Sequence, residues 1–419
     1  MGRPGIGLLF TGIACATVLA LAAGAAGASA PGAGNAAAPA VCLSSALGEL
    51  YGKRPDTVSI SVAVTSMDGS FRWADAAGFA DHVAEVPASA RIGYRIASMT
   101  KSYTAAAIFR LMESGRLAID DPIAKHLPGS FLEVLSKAGY DTSAIRIRHL
   151  LEHSSGLREH VDEDFIAQLK ATPRRTWTPF ELTKRAAEAG PPLAAPGAEF
   201  SYSDTGYILL GQIIERLKAL PLPVAVAKLL NWPGPRITTM WWEGAAGARP
   251  GLRAHQYWEG LDTYDWDPSF DLFGGGGIVA TPASAADYLR ALLSGDIYAD
   301  PRTLGIQRSL GIAGAPIAYS GGLFTIYVGE QSLIGHSGFW NTFVFASEKQ
   351  GLIFAGATGE KNSLKYVELL AWLMEQVRVC TAMPQPARAH GTSSDDSRYR
   401  IMMSWIPSSV SRDSLRTPA

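Results

Sequence analysis

The run Ser98-Met99-Thr100-Lys101 is the one S-x-x-K motif in the 419-residue sequence, and it places an amine three positions after a hydroxyl. The apolar pattern that follows predicts a helix over 100–114. At the first turn of a helix, side chains at positions i and i+3 share a face, so Lys101 can reach Ser98. A lysine with a lowered pKa can take the serine proton, and the Ser98 N–H at the helix start can face a developing oxyanion. An exposed helix start without a catalytic role is the alternative.

A second candidate group is Tyr202-Ser203-Asp204, which precedes a predicted helix over 204–219. A tyrosine just before a helix can point its hydroxyl into a cleft and carry a proton between Ser98, Lys101 and a leaving group. The alternative is a buried tyrosine with a satisfied hydroxyl and Asp204 as the helix N-cap.

A third candidate is Gly335-His336-Ser337-Gly338-Phe339, which lies between two predicted strands. Glycines allow a substrate to approach the backbone closely, and an edge strand offers N–H groups that can bind it. A hairpin turn is the alternative. A G-x-S-x-G nucleophile elbow at Ser337 does not fit, because residue 339 is phenylalanine.

The elements that would position these motifs form β-rich ends around a helical middle. Strands are predicted over 58–64, 71–79, 323–328, 332–336, 342–346 and 352–357, with a hairpin turn at Asp68-Gly69. Further helices are predicted over 43–52, 146–152, 179–189, 283–294 and 364–379. Strands from both ends would complete one sheet that is split by an insertion. The predicted parts are a sheet-and-helix domain over 42–97 plus 311–380, a helical insertion over 98–310 and a disordered tail over 381–419.

The N-terminus has the pattern of a signal peptide. Arg3 is the one early charge, an apolar run rich in alanine follows, and Ala28-Ser29-Ala30 is a cleavage pattern. We therefore expect residues 1–30 to be removed, leaving a periplasmic or secreted chain without a membrane span. A transmembrane anchor is the alternative, because the run nears the length of about 20 residues that a spanning helix needs. A lipid anchor at Cys15 is not expected, because the apolar run before it is short.

Removal of the signal leaves two cysteines, Cys42 and Cys380. In an oxidising compartment we expect them to form a disulfide, since they lie at the start of one predicted helix and the end of another. One sheet built from both ends of the chain would bring them together. Two buried free thiols are the alternative.

The overall charge argues against two classes of partner. The chain has 37 basic and 38 acidic residues and a formal net charge of -1, which gives no field that would attract nucleic acid or an anionic membrane. We expect a small-molecule or peptide-like substrate, and the sequence gives no indication of oligomeric state. Residues 240–273 are rich in aromatic side chains, which can either line a cleft or pack between domains.

The order and spacing of these motifs resemble the class C β-lactamase family, which includes D-Ala-D-Ala carboxypeptidases, D-aminopeptidases and esterases. The resemblance covers roughly residues 42–380. Its matching segments are 94–101 (YRIASMTK), 147–157 (IRHLLEHSSGL), 200–207 (FSYSDTGY), 274–281 and 336–338 (HSG). The resemblance implies an α/β (α+β) fold with a mixed, largely antiparallel sheet flanked by helices and an inserted all-helical domain. It implies a serine hydrolase that acts through an acyl-enzyme on a small ester or peptide-like amide, β-lactams included.

The resemblance also assigns roles to the motif residues. Ser98 would be acylated, Lys101 and Tyr202 would share proton transfer, and the N–H groups of Ser98 and Phe339 would form the oxyanion hole. His336, Gly338 and Asp204 would contact the substrate. No metal or organic cofactor is expected, and His153 and His160 are assigned structural roles because no third ligand lies at a suitable spacing. A non-catalytic protein that binds cell-wall fragments on the same fold is the rival function.

Two residues depart from the family pattern. The tyrosine motif usually ends in Asn, whose amide donates to the substrate, whereas an ionised Asp204 can only accept and would hold Lys101 more firmly protonated. This departure argues against difficult amide substrates and favours an ester. His336 stands where β-lactamases commonly carry Lys, and a neutral imidazole holds a substrate carboxylate less strongly, although some carboxypeptidases of the family carry His there.

Overall fold

A computed structural model describes residues 37–231, 239–244 and 252–381 of the chain. Helices in these residues are α1 (Ala37–Lys53), α2 (Lys101–Glu113), α3 (Gly129–Lys137), α4 (Ile147–Leu151), α5 (Glu163–Ala171), α6 (Pro179–Glu188), α7 (Asp204–Lys218), α8 (Leu222–Leu230), α9 (Pro282–Leu293), α10 (Thr303–Ser309) and α11 (Tyr366–Thr381). Strands are β1 (Ser59–Ser66), β2 (Arg72–Asp81), β3 (Val86–Pro87), β4 (Tyr94–Arg95), β5 (Met240–Trp242), β6 (Tyr257–Trp258), β7 (Leu261–Asp262), β8 (Ile278–Ala280), β9 (Ala318–Ser320), β10 (Leu323–Val328), β11 (Gln331–Gly338), β12 (Thr342–Ser347) and β13 (Leu352–Thr358). The predicted signal peptide, Cys15 and residues 382–419 of the predicted tail lie outside the described residues.

One antiparallel sheet joins the two ends of the chain, as predicted. Its strand order is β3-β2-β1-β13-β12-β11-β10-β9, so β1 lies directly beside β13. The two strands pair from Ile60 with Thr358 to Ser66 with Leu352. Because side chains alternate along a strand, Ile60, Val62 and Val64 share one face, where they pack in a cluster that includes residues of α1 and α11. The fold class expected from the resemblance is confirmed.

The ends of the folded chain are covalently joined. Cys42 on α1 and Cys380 on α11 form a disulfide with a Cα–Cα distance of 5.6 Å. The two helices pack against each other and cover the sheet on the face described above. The predicted disulfide is confirmed.

The opposite face of the sheet is covered by α9, which contacts β1, β12 and β13. This helix lies in the segment expected to form the helical insertion, so that segment contributes one helix to the sheet layer. A small second sheet, in the order β4-β8-β5, joins the strand before Ser98 to the strand after the glycine run 274–277. Its register pairs Tyr94 with Ala280 and Arg95 with Val279. Two segments that are far apart in sequence are thereby held side by side.

Among the helices of residues 37–231, 239–244 and 252–381, none combines the length and the apolar character that a bilayer span requires.

Candidate active site

Ser98 lies in a 3₁₀ turn, Ala97–Thr100, which leads directly into α2. Ala97 has a φ of 45°, a left-handed conformation that a residue with a side chain adopts at an energetic cost and that is common near functional sites. Lys101 begins α2, and its Nζ donates to Ser98 Oγ at 2.8 Å. The i to i+3 spacing therefore brings the amine onto the hydroxyl.

The Lys101 side chain is fully buried, and its Nζ contacts three acceptors as well as the Tyr202 hydroxyl. Besides Ser98, its Nζ donates to the carbonyl of Gly275 at 3.0 Å and forms an ion pair with Asp204 Oδ1. Burial by itself would lower the pKa of Lys101, but the charge of Asp204 and the contact with Tyr202 outweigh that effect and raise the pKa above its usual value. Lys101 is therefore an ammonium in the resting site.

Tyr202 lies just before α7 and contacts both partners of the Ser98–Lys101 pair. Its hydroxyl interacts with both side chains, and Lys101 Nζ lies 5.1 Å from the centroid of its ring. Burial raises the pKa of Tyr202, and the positive charge of Lys101 offsets this only in part, so the phenol is neutral at rest. The three groups proposed from two distant motifs thus meet at the Ser98 hydroxyl.

His153 supports Tyr202 from the side. Its ring lies 4.2 Å from the Tyr202 ring, centroid to centroid, and its Nδ1 accepts from the Ser203 N–H at 3.1 Å. From the sequence, His153 was assigned a structural role only because no third metal ligand lies at a suitable spacing. The H-S-S-G run that contains it gave no signal that the ring would pack on the tyrosine of another motif. In the described residues, no group of three or more His, Cys, Asp or Glu side chains is arranged to hold a metal ion.

Asp204 begins α7 and does not cap it. It is the first residue of α7, and Ser203 is the N-cap, with its Oγ accepting from the Gly206 N–H at 3.2 Å. A carboxylate oxygen of Glu159 accepts from the Asp204 N–H, which fixes the start of the helix. In this position the Asp204 side chain turns to the buried ammonium of Lys101, because a buried cation needs a counter-charge. The ion pair agrees with the expectation that Asp204 holds Lys101 protonated, and a contact between Asp204 and the substrate stays a prediction.

The glycine run 274–277 closes the site opposite α7. Lys101 and Thr104, one turn apart on α2, donate to the carbonyls of Gly275 and Gly274, the latter at 2.8 Å. Gly274 has a φ of 116°, and a Cβ there would lie 2.5 Å from the Tyr207 carbonyl oxygen, so only glycine fits. The sequence motif contains this run, but the role of its carbonyls as acceptors for Lys101 was not predicted.

Strand β11 brings the third motif beside Ser98. A Cβ on Gly338 would lie 2.2 Å from the Ile96 carbonyl oxygen, so glycine is required for the strand to approach the turn that carries Ser98. Thr342 Oγ1 donates to the same carbonyl at 3.2 Å. Phe339 follows Gly338 directly, which places its backbone N–H at the end of β11 next to this turn.

His336 is buried on β11. It is only 1% exposed, its Nδ1 contacts the Ser337 carbonyl at 2.6 Å, and its Nε2 lies 3.4 Å from the Tyr319 hydroxyl. Burial, with a contribution from the charge of Lys101, lowers the pKa of His336 to about 3. The imidazole is therefore neutral, which agrees with the expectation that it holds a substrate carboxylate less strongly than a lysine would, and its contact with the substrate stays a prediction.

In the described parts of segment 240–273, residues 240–244 and 252–273, most aromatic side chains pack inside the protein. Trp258, Trp266, Phe270 and Phe273 belong to one cluster that also contains Trp340 and Phe339. The Trp258 ring meets the Phe339 ring edge-on at 5.1 Å. The segment therefore supports the side of the site where Phe339 lies.

Comparison with known proteins agrees with this geometry. The family model described as Beta-lactamase matches residues 49–378, which include every motif above. The chain belongs to the beta-lactamase family. The resemblance recognised in the sequence is thus confirmed.

Among relatives in the beta-lactamase family, the chain is 33% identical over 180 residues to the esterase EstB of Burkholderia gladioli. That alignment covers 41% of this chain and 44% of the esterase, so the chain spans less than half the length of this relative. A D-stereospecific amidohydrolase from Streptomyces sp. superposes with a TM-score of 0.68 and 22% identity over 83% of this chain and 99% of that one. An octameric penicillin-binding protein homologue from Pyrococcus abyssi gives 0.64 and 22% over 80% and 77%. At this identity the solved structures support the fold.

Proposed function

We propose that this member of the beta-lactamase family is a serine hydrolase that forms an acyl-enzyme on Ser98. The observation that carries the proposal is the 2.8 Å contact between Lys101 Nζ and Ser98 Oγ, with the Tyr202 hydroxyl beside both. A binding protein has no need of an amine, a phenol and a hydroxyl in mutual contact, which argues against the rival function.

The reaction follows from the arrangement. Ser98 Oγ attacks the substrate carbonyl while its proton leaves, and the N–H groups of Ser98 and Phe339 bind the oxyanion. Collapse of this intermediate breaks the bond to the leaving group, which takes a proton through Tyr202 and Lys101. Water then attacks the acyl-enzyme by the same route and releases Ser98.

We propose a small ester as the preferred substrate, over a peptide-like amide or a β-lactam. Asp204 holds Lys101 as an ammonium, which is a poor base at rest. An ester has a good leaving group and needs less assistance than an amide. The esterase relative favours this choice, whereas the amidohydrolase shares the fold alone.

The disulfide indicates that the chain folds in an oxidising compartment. Together with the signal-like N-terminus, this supports export to the periplasm or the exterior. The sheet-and-helix domain with its helical insertion then works as one secreted enzyme.

A fluorophosphonate probe tests the nucleophile. We expect one covalent adduct, located by peptide mass spectrometry on Ser98, and Ser98→Ala should lose the adduct and about 10⁴-fold or more of ester hydrolysis. Ser102→Ala is the matched control, because this hydroxyl lies one turn further along α2 and donates to the Met99 carbonyl at 2.8 Å. An adduct on another residue would refute the nucleophile. A chromogenic cephalosporin hydrolysed far faster than a chromogenic ester would refute the preferred substrate.

A further inference from the structure

The resting site raises the question of where the Ser98 proton goes. Lys101 Nζ has three acceptors, Ser98 Oγ, Gly275 O and Asp204 Oδ1, one for each N–H of an ammonium. An ammonium has no lone pair, so Lys101 cannot accept the serine proton unless it gives up one of its own. The Tyr202 phenol is neutral, so it lacks the negative charge that would make it a strong base.

Among the groups that Lys101 Nζ contacts, Asp204 alone carries a negative charge. Gly275 offers a carbonyl oxygen, and Ser98 is the group to be deprotonated. We propose that Asp204 is the terminal proton acceptor of this site, so that Ser98, Lys101 and Asp204 form a relay in which the lysine passes the proton on. The proposal rests on the acyl-enzyme function above and assigns Asp204 a role other than substrate binding.

The proton balance of the relay is complete without any further reactant. As Ser98 Oγ bonds to the substrate carbonyl, its proton passes to Lys101 Nζ, and a different proton of Lys101 passes to Asp204 Oδ1. The site then holds the Lys101 ammonium and a neutral carboxylic acid at Asp204, and the negative charge has moved to the oxyanion of the substrate. When the intermediate collapses, Asp204 returns its proton to Lys101, and Lys101 supplies one to the leaving group through the Tyr202 hydroxyl.

Direct contact between Lys101 and Asp204 lets the second proton move without passing through solvent. The Lys101 side chain is 0% exposed and the Asp204 side chain 26%, so little water competes for the carboxylate that receives the proton. The α7 start holds the carboxylate in place, because Glu159 binds the Asp204 N–H and Ser203 caps the helix. A carboxylate is still a weaker base than a free amine, which agrees with a preference for esters.

The Asp204→Asn variant tests the relay, because an amide keeps the size of the side chain and cannot take the proton. We expect kcat on a chromogenic ester to fall about 10²-fold or more, with KM nearly unchanged. A rate equal to or above that of the wild type would overturn the relay, since it would mean that Asp204 only holds Lys101 in its charged form.

Asp271→Asn is the matched control. This carboxyl group lies beside Gly276, across the glycine run from Asp204. At an assay pH above its raised pKa of about 7 it is charged and influences Lys101 without touching it. We expect its kcat to change by less than about threefold. This is well below a tenfold change, which corresponds to about 1.36 kcal/mol of activation free energy. An equal fall in both variants would overturn the relay, because loss of any negative charge near Lys101 would then suffice.

A measurement on the unaltered enzyme keeps the test independent of variant folding. In mixtures of H₂O and D₂O, two protons moving together predict a curved dependence of kcat on the deuterium fraction, whereas one proton predicts a straight line. A straight line in the wild type would overturn the relay. If the fluorophosphonate labels Ser98 and the plot is straight, the relay is wrong and the proposed function stands. If Ser98 is not labelled, the proposed function fails.

Discussion

Strands β1 and β13 lie side by side under α1 and α11 with apolar residues on their shared face. Around Lys101, by contrast, an ammonium, a carboxylate and a phenol are packed into a largely buried space. The sheet region gains stability from burying apolar surface and from a disulfide between its two helices. In the site region, removal of charged groups from water costs free energy, and only close pairing of opposite charges offsets that cost. Changes in the first region should therefore alter stability, and changes in the second should mainly alter activity.

The largest stability effect should come from the disulfide in the sheet region. Replacing Cys42 and Cys380 together by serine removes the link between α1 and α11, and we expect unfolding free energy to fall by about 2 to 5 kcal/mol. Chemical denaturation under non-reducing conditions measures the loss. At temperatures where the variant remains folded, its kcat should match that of the wild type, since the link lies outside the site. A lowered kcat in the fully folded variant would contradict the prediction that the sheet region affects stability alone.

A smaller effect of opposite sign is expected at the site. Burial, and then the charge of Asp204, raises the pKa of Asp271 to about 7. The folded state therefore binds a proton that the unfolded state releases, so this group makes stability fall as pH rises from about 4 to about 7. Asp271→Asn should remove that part of the pH dependence, on the order of 3 kcal/mol over this range. Melting temperatures of the wild type and the variant, measured from about pH 4 to about pH 7, test this prediction. Parallel curves of melting temperature against pH would contradict it.

The same contrast explains what the sequence could predict. The alternation of Ile60, Val62 and Val64 and the S-x-x-K spacing depend on neighbouring residues, so β1 and the Ser98–Lys101 contact were accessible from the sequence. The approximate bounds of α2, α7 and the strands from β10 to β13 followed from the same patterns.

Other features depend on contacts between distant segments. The partner of Asp204 depends on which buried group faces the start of α7, and the Gly275 carbonyl meets Lys101 only because β4 and β8 pair. His153 meets Tyr202 for a similar reason, since both lie in loops whose approach is set by packing. Short elements such as β5 to β7 lack enough residues for a pattern to be recognised.

The central claim, an acyl-enzyme on Ser98, is tested most directly during turnover itself. The enzyme is mixed with an excess of a chromogenic ester, quenched in acid within the first turnover and digested, and the peptide that contains Ser98 is weighed. We expect an increase in mass equal to the acyl group of the substrate, together with a burst of released leaving group. Continued hydrolysis with no acyl group on any residue, or with the group on a residue other than Ser98, would contradict the account.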